Sequence, residues 1–500
     1  MSTSETAPSP EDGEDVAPLT EPLLSPSVDG EDEESGLSVA PTSSLPAALS
    51  NVVMAVLGAG QLTLPYVMSQ LGFAFGMLLL VCFALVAVYS SVLLRALTAS
   101  TKAATYGDML GRALGPRWKT ACAVVVVLYA FGTAVSYFLI IREQLHRIAA
   151  FFLPTSDTGA TPWEENKVFM LVVVTALVVY PLSALRDLTA LRFSSSLGSL
   201  FALYITSVVC LYAPWGADRY HIREDDGGVV LLRVCRGGHP PSPDLAPRLW
   251  PRSFAAFAAA SPLLAFALNS GWAFVPVFAS LRDPTPSRGA TLILVSHAII
   301  AVNYLIIAGV GYASYCDSVE DNVVDSLPTS SAPALAARAA LVFQLCCGLP
   351  LRFHVIAGAI LPPESRRGGD DGDGDGDDGD GDDGEGDERQ IDDESTRRGS
   401  PFGSTRWVAT QTILVPVTMA CACVATELHV VVGLTAAVCA SCIIYIFPGV
   451  ATLAGAGGEV ASRRKTAAAG GLLAMGLFVM TAGTWANAMD AARGRVGGAS

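Results

Sequence analysis

Two segments far apart in the chain share a spacing of small residues and proline that could hold a small charged molecule. The first is residues 58–65, GAGQLTLP, and the second is residues 269–276, NSGWAFVP. In each, a pair of small residues ends in glycine, and a proline follows five residues later. Such a pattern interrupts a helix. The interruption exposes N–H groups that can hold a carboxylate and carbonyl groups that can hold an ammonium group or a cation.

The residues at these interruptions are the predicted substrate-binding residues. They are Gly58, Ala59, Gly60 and Gln61 in the first segment and Asn269, Ser270 and Gly271 in the second. Small side chains would also let a substrate approach the backbone. Tyr137, in the third apolar segment, is a further candidate for lining the binding path. The alternative is that the glycines serve close helix packing and that Tyr137 is a core residue.

Both segments must be positioned by membrane helices, because the chain is too apolar for a soluble protein. Of its 500 residues, 51% are hydrophobic and 15% are charged, whereas soluble domains carry about 25% charged residues. Many apolar runs reach the roughly 20 residues that cross a bilayer as a helix. About eleven runs lie near 49–71, 73–97, 119–141, 166–185, 193–213, 253–280, 289–312, 333–361, 406–426, 429–453 and 467–489. They are too long and too uniformly apolar for a β-barrel, so the predicted fold is an all-α polytopic membrane protein.

The two interrupted segments fall in the first and sixth apolar runs, which predicts two structural halves. Runs one to five form the first half, runs six to ten form the second, and the eleventh is peripheral. Because five is an odd number, the second half enters the membrane upside down, which makes a 5+5 inverted repeat. Paired interruptions in matching halves are typical of the binding site of a secondary transporter.

The net charge of −15 is concentrated in two segments that are predicted to be disordered. Residues 1–47 form an acidic tail with 11 acidic residues and no base. Residues 363–404 form an insert rich in Asp and Gly, with 15 acidic residues and one Arg between 370 and 394. The transporter domain, residues 48–492 apart from this insert, is therefore mildly basic.

Basic residues predict the orientation of the helices. With the N-terminus in the cytosol, the short cytosolic loops hold most of the Lys and Arg residues of the short loops, as the positive-inside rule requires. In that orientation both acidic segments are cytosolic. The long acidic tail favours a vacuolar or other endomembrane over the plasma membrane.

Arg352 and His354 are ionisable residues inside the eighth apolar run. Such residues are candidates for a function because a charge in a membrane is costly. His354 could titrate near neutral pH and carry a proton. The alternatives are an arginine that reaches toward the membrane surface and a hydrogen-bonded histidine. Cys235 and Cys316 fall in loops predicted on the same side, and a disulfide between them is a hypothesis.

The sequence gives no sign of an enzyme or of nucleic-acid binding. It has no phosphate-binding loop, no metal-ligand spacing and no nucleophile–base pair outside the apolar runs. No soluble stretch is long enough for the ATP-binding domain of a primary pump. No cofactor is expected, and the expected partners are an amino acid substrate, H⁺ or Na⁺ as coupling ion, and membrane lipid.

Several short motifs, taken in order, resemble the amino acid/auxin permease family and especially its sodium-coupled neutral amino acid transporter branch. The matching segments are 49–60 with 64–66, 106–108, 132–141, 181–188, 276–288, 311–322 and 445–449. The most specific of them is PLSALRDL at 181–188, and together they cover residues 48–453. The resemblance implies an inverted-repeat transporter of the leucine-transporter type that moves amino acids with sodium or protons.

Two positions depart from that branch where the resemblance implies sodium binding. The branch has an Asn in the first helix and a Thr in the eighth, and our alignment places Met54 and Gly348 there (Cys346 if the register slips). A thioether and a glycine lack the hard side-chain oxygens that sodium prefers. Residues 350–354, PLRFH, instead resemble the Pro-Leu-Gln-x-His motif of plant members. The candidate ion-coupling residues are therefore His354, Arg352, Gly348 and Met54.

Together these observations predict a secondary transporter of neutral amino acids, coupled to protons, that holds its substrate at the first and sixth helices. Two alternatives stay open. One is an amino-acid sensor without significant flux that signals through an acidic segment. The other is a permease for another small organic solute. A polyamine site would need acidic residues at the interruptions, and the sequence has none there.

Overall fold

The structure, a computed structural model, describes ten stretches of the chain. They are residues 43–152, 167–185, 192–213, 220–225, 228–233, 248–329, 331–361, 405–425, 427–456 and 463–497. All of them belong to the second of two units, residues 39–500. The first unit, residues 1–38, lies outside the described residues, as does the predicted insert at 363–404. The first helix begins at Leu45, inside the predicted tail.

Helices make up nearly all of the described residues. In chain order they are α1 (Leu45–Val56), α2 (Leu64–Leu71), α3 (Phe73–Thr101), α4 (Tyr106–Leu114), α5 (Pro116–Phe152), α6 (Lys167–Val174), α7 (Tyr180–Ala184), α8 (Arg192–Leu211), α9 (Phe254–Ala267), α10 (Gly271–Ala279), α11 (Pro286–Tyr315), α12 (Ala332–Ile360), α13 (Thr405–Val424), α14 (Leu428–Thr435), α15 (Phe447–Leu453) and α16 (Arg463–Gly497). A 3-10 turn (Ala59–Thr63) joins α1 to α2. π-helical turns (Thr175–Val179, Ala436–Ala440 and Cys442–Ile446) continue α6 into α7 and α14 into α15.

The predicted all-α membrane fold is confirmed. Within the described stretches, nine helical runs are long and apolar enough to cross a membrane, and one of them, Phe254–Ala279, contains the break between α9 and α10. A tenth span is α1 together with residues 59–71, which bends by 44° at its break. In the fifth predicted position, α8 has a shorter apolar part, Leu197–Leu211.

The sequence did not predict one small sheet in the loop between α8 and α9. Strands β1 (Tyr220–Asp225) and β2 (Gly228–Arg233) pair antiparallel, with Tyr220 opposite Arg233 and Asp225 opposite Gly228. This hairpin is the one departure from an all-helical architecture among the described residues.

Local sequence explains the chain path beside the interrupted helices. Thr285 begins α11 as its N-cap, because its hydroxyl accepts a hydrogen bond from the backbone N–H of Arg288 at 3.3 Å. Gly72 turns the chain between α2 and α3 with φ of 78°, a conformation that favours glycine. Directly after it, the Phe73 N–H donates to the Arg248 carbonyl at 2.6 Å. The segment before α9 is therefore fixed to the end of the first interrupted helix.

The core lies where the interrupted helices meet α5, α11 and α12. α5 and α12 pack along each other, and the rings of Phe138 and Phe353 lie 6.3 Å apart between them. α11 packs against α1, α2 and α3. Phe138, Phe274, Tyr304 and Phe353 are all fully buried here. This packing places the interruptions of α1–α2 and α9–α10 beside each other inside the bundle.

Candidate functional site

The first interruption is a break in the backbone of the first span. α1 ends at Val56, and Gly58 has φ of −134° and ψ of −143°, outside the helical region. The Gly58 N–H donates to the Val56 carbonyl at 2.8 Å, and the Gly58 carbonyl accepts from the Gln61 N–H at 3.3 Å. The regular i to i−4 hydrogen bonds of an α-helix are therefore lost at the predicted residues.

The second interruption separates α9 from α10 by three residues. The Asn269 N–H donates to the Phe266 carbonyl at 3.2 Å, and the Ser270 N–H donates to the Leu268 carbonyl at 2.9 Å. Both bonds are shorter in sequence than those of an α-helix. α10 then begins at Gly271, the predicted glycine.

One tyrosine on α11 bridges the two breaks. The Tyr304 hydroxyl lies 2.7 Å from the Val56 carbonyl oxygen and 2.9 Å from that of Ala267, at the ends of α1 and α9. Its single proton can be donated to only one of them at a time. On α12, Gln344 Nε2 donates to the Leu57 carbonyl at 3.2 Å. The protein therefore satisfies carbonyl groups that the breaks free and that lipid could not satisfy.

Two of the predicted binding glycines, Gly60 and Gly271, pack closely against neighbouring helices. A Cβ atom added at Gly60 would lie 2.7 Å from Ala267 Cα, so the two interrupted spans touch there. A Cβ atom at Gly271 would lie 3.2 Å from Ile443 Cγ2 and 3.4 Å from Leu94 Cδ1. These contacts fit the packing alternative for both glycines.

Gln61 and Ser270 direct their side chains to neighbouring helices. Gln61 Oε1 accepts from Asn303 Nδ2 at 3.0 Å, and Gln61 Nε2 donates to the Ala202 carbonyl at 3.4 Å. Ser270 Oγ lies 3.1 Å from His297 Nε2. Because His297 Nδ1 faces a backbone carbonyl at 2.8 Å, we assign the proton to Nδ1, and Nε2 then accepts from the serine. The hydrogen bonds of Gln61 and Ser270 therefore link the two breaks to neighbouring helices. Ala59, between the two glycines, is buried.

Five residues converge between the breaks, and we call them the central cluster: Gly58, Tyr137, Trp272, Gly348 and Arg352. A Cβ atom at Gly58 would lie 3.6 Å from Tyr137 Oη, and one at Gly348 would lie 3.0 Å from Tyr137 Cε2. Arg352 Nη2 donates to the Tyr137 hydroxyl at 3.3 Å. The Arg352 guanidinium also lies over the Trp272 ring, 4.6 Å from its centroid. The cluster thus joins the break after α1 to α5, α10 and α12.

Asn269 adds an unsatisfied amide to this region. Its residue is 2% exposed, and neither its side-chain oxygen nor its nitrogen has a hydrogen-bond partner among the described residues. The Tyr129 hydroxyl of α5 lies near enough to interact with this amide, but not in hydrogen-bonding geometry. A buried polar group without a partner costs about 1–3 kcal/mol. A bound molecule with a donor and an acceptor would remove that cost.

His354 does not join the central cluster, although it lies two residues from Arg352. Its Nδ1 lies 2.9 Å from the Pro350 carbonyl and its Nε2 lies 3.1 Å from the Leu185 carbonyl. The ring also packs edge-on against Trp407, with centroids 4.6 Å apart. Both nitrogens can donate at once only when the imidazole is protonated.

The other two candidate ion-coupling residues lie on different sides of Gln344. Gly348 belongs to the central cluster, one turn of α12 away. Met54 faces α8, because a Cβ atom at Gly198 would lie 3.7 Å both from Met54 Cγ and from Gln344 Nε2. Gly348 and Arg352 therefore share contact with Tyr137, whereas Met54 lies beside α8 and His354 faces the Leu185 carbonyl.

Cys316 is disulfide-bonded in the structure. Its predicted partner, Cys235, lies outside the described residues, so that pairing stays a prediction. The nine other cysteines form no disulfide, and most lie within helices, as expected of small apolar residues.

A second polar region lies at one end of the bundle, around a cavity of about 260 Å³. Arg147 Nε lies 3.1 Å from Glu143 Oε1 and 3.2 Å from Asp325 Oδ1, and Gln144 Nε2 donates to Asp325 Oδ1 at 2.6 Å. Burial raises the pKa of Asp325 to about 6, although Arg147 acts in the opposite direction. We call this space the loop cavity, after the loop at 319–331 that lines it.

Beside the loop cavity, Asp321, Glu427 and His429 bring oxygen and nitrogen atoms within 4.8 Å of one another. That arrangement could hold a metal ion. However, His429 Nδ1 lies 2.6 Å from Asp321 Oδ2, and this hydrogen-bonded pair already accounts for their approach. Tyr66 packs on the His429 ring at 5.0 Å.

Sequence reasoning missed Tyr304, Trp272 and the group at the loop cavity. Tyr304 and Trp272 stand in apolar runs where an aromatic residue is ordinary, and no spacing distinguishes them. Asp325 belongs to a short acidic loop, and its type and spacing alone do not predict burial. Each of these side chains is positioned by contacts with residues distant in the sequence.

A family model described as transmembrane amino acid transporter protein matches residues 41–489. Sodium-coupled neutral amino acid transporter 7 of Bos taurus is 25% identical over 347 residues, which are 68% of this chain and 70% of that protein. The protein of the same name from Homo sapiens is 24% identical, over 69% of this chain and 68% of its own length. Solute carrier family 38 member 8 of Homo sapiens is 24% identical, over 63% of this chain and 68% of its own length.

The fold is similar to that of a solved structure, MhsT in complex with L-phenylalanine. The TM-score is 0.52 at 12% sequence identity, covering 90% of this chain and 98% of that one. At this identity the likeness shows the fold alone. It confirms the predicted 5+5 inverted repeat of the leucine-transporter type.

Proposed function

This chain belongs to the family of transmembrane amino acid transporters, and on that premise we propose that it carries amino acids by secondary active transport. The substrate is held between the two broken spans, at the central cluster. The observation that supports this most is the position of Tyr137. Its hydroxyl lies beside Gly58 at the first break and within 3.3 Å of Arg352, which itself covers Trp272 of the second broken span.

The central cluster offers what an amino acid requires. A guanidinium and a phenol can donate hydrogen bonds to a carboxylate. The Asn269 amide, which has no partner among the described residues, can accept from an ammonium group. Gly58 and Gly348 let the backbone approach Tyr137 closely, because an added Cβ atom would lie 3.6 Å from its hydroxyl at Gly58 and 3.0 Å from its ring at Gly348.

Alternating access is the proposed mechanism, with α1–α3 and α9–α11 rocking against the remaining helices. α11 packs on α1, α2 and α3, and Tyr304 ties the two breaks together, which supports movement as one body. At one end, the Ser43 N–H donates to the Ser280 carbonyl at 2.9 Å and the Arg282 N–H donates to the Ser43 carbonyl at 3.0 Å. These bonds join the two broken spans at that end, which also supports their movement as one body.

We propose protons as the coupling ion, with His354 as the proton site. Two carbonyl groups face its two ring nitrogens, so the protonated ring donates to both and the neutral ring to one. The relatives' names say sodium-coupled. In this chain Met54 and Gly348 stand where the resemblance implies sodium ligands, and neither has a side-chain oxygen. The N-terminus is proposed to be cytosolic, and an endomembrane is favoured.

Uptake into proteoliposomes tests this proposal. Purified protein is reconstituted, a pH gradient or a sodium gradient is imposed separately, and a radiolabelled mixture of amino acids is supplied. We expect uptake driven by the pH gradient, abolished in Gly58→Leu and retained in the matched control Gly470→Leu, because a Cβ atom at Gly470 meets no atom within 4 Å. Uptake that requires sodium would contradict proton coupling. Binding without uptake would favour the sensor alternative.

A further inference from the structure

Arg352 is a cation inside the bundle whose charge no acidic side chain of the described residues balances. Within the part of the chain that the structure describes, its one hydrogen bond goes to the neutral hydroxyl of Tyr137 at 3.3 Å. Its remaining contacts are the rings of Trp272, at 4.6 Å, and Tyr137, at 5.7 Å. Its buried Nε has no hydrogen-bond partner there. Most N–H groups of the Arg352 guanidinium therefore have no hydrogen-bond acceptor among the described residues.

Two other arginines among the described residues, the fully buried Arg338 and the part-buried Arg147, have different partners. Arg338 donates to three backbone carbonyls, at 2.7 Å and twice at 3.2 Å. Arg147 pairs with the carboxylates of Glu143 and Asp325. An arginine that served structure alone at the position of Arg352 would be expected to have partners of one of these kinds, because an uncompensated charge away from water is costly.

The fixed charges of the central cluster favour an anion. The cluster holds one guanidinium and no described carboxylate. A neutral amino acid is a zwitterion, so it leaves the site with a net positive charge and brings its ammonium group near the guanidinium. A molecule of net charge −1 leaves the site neutral, and its carboxylate can accept two parallel hydrogen bonds from the fork.

We propose that the central cluster selects an organic acid of net charge −1 and that Arg352 determines this selection. This rests on the proposed function, and it replaces the neutral amino acid predicted from the sequence with an anionic substrate. Two sources share the chemistry. One is an amino acid with a second carboxylate, whose ammonium group would meet the Asn269 oxygen. The other is a carboxylate without an amino group.

Isosteric ligand pairs test the charge of the substrate. Thermal stabilisation of purified protein at pH 7 is titrated with L-glutamate against L-glutamine and with L-leucine against 4-methylvalerate, its amine-free analogue. We expect the anion of at least one pair to bind at least tenfold more tightly than its neutral partner. The pair that responds identifies the source, and uptake of the responding ligand follows in proteoliposomes.

Variants at Arg352 separate charge from folding. Arg352→Gln should remove the preference for the anion, and Arg352→Lys should retain part of it, because lysine keeps the charge but not the fork. Failure of the wild type to bind the anion at least tenfold more tightly in either pair, with binding of a neutral ligand retained, would overturn the inference and leave the proposed function standing. No binding and no uptake of any ligand would overturn both. The wild-type comparison holds even if Arg352→Gln fails to fold.

Discussion

Replacing Gly60 by alanine should destabilise the protein at the contact between the two broken spans. The new Cβ atom would lie 2.7 Å from Ala267 Cα and 3.2 Å from Ala267 Cβ, whereas carbon atoms in contact are about 3.5–4.0 Å apart. The nearer atom belongs to the backbone, so no side-chain rotation relieves the overlap. Overpacking of this kind costs about 1–3 kcal/mol. Replacing glycine by alanine recovers about 0.4–1 kcal/mol through the unfolded chain.

The net expectation is a loss of about 1–2 kcal/mol, from the difference of these terms. It appears as a lower midpoint of thermal unfolding in detergent and as reduced uptake, since the breaks move apart. Gly470→Ala is the matched control, because its Cβ atom would meet nothing within 4 Å. A Gly60→Ala protein with the wild-type midpoint and wild-type uptake would refute the reasoning that the two spans touch at this residue.

Three further predictions concern polar groups. Tyr304→Phe removes the donor to two freed carbonyls, so the midpoint of thermal unfolding should fall by the equivalent of about 1–3 kcal/mol; an unchanged midpoint would contradict the bridging role. Burial raises the pKa of Asp325 to about 6. The contribution of this carboxyl to the free energy of unfolding is therefore fully present below about pH 4 and is lost as the pH rises through 6. The midpoint of thermal unfolding should therefore fall less between pH 5 and 7.5 in Asp325→Asn than in the wild type. An equal fall in both proteins would show that the Asp325 carboxyl does not cause the pH dependence. Arg338→Met leaves three carbonyls without their donor, and loss of folded protein in size-exclusion chromatography is expected; a monodisperse variant with full uptake would show that other donors replace the arginine.

Local sequence was enough to predict where the membrane helices break. Glycine and proline act on their own backbone, so the interruptions at Gly58 and Asn269 follow from residues within a few positions of them. The apolar runs predicted the membrane helices for the same reason, since each run must cross the membrane by itself. The fold class followed from the position of the two breaks in matching halves.

The roles of individual side chains were less predictable, because they depend on helices distant in sequence. Gly60 and Gln61 are neighbours, yet one touches Ala267 and the other pairs with Asn303. The sequence alone does indicate that Arg352 and His354 can lie in different sites. Residues two apart on a helix face different sides, so Arg352 and His354 need not share a site. The loop cavity and the sheet between α8 and α9 arise from segments whose contacts carry no local signal.

The most direct test of the central claim is a structure of the protein bound to a transported amino acid. Electron cryo-microscopy in lipid nanodiscs, with a saturating amount of the amino acid that uptake identifies, would locate it. We predict density between Gly58 and Asn269, within hydrogen-bond distance of Tyr137 Oη and of the Arg352 guanidinium. Ligand density in the loop cavity, with the central cluster empty, would contradict the account.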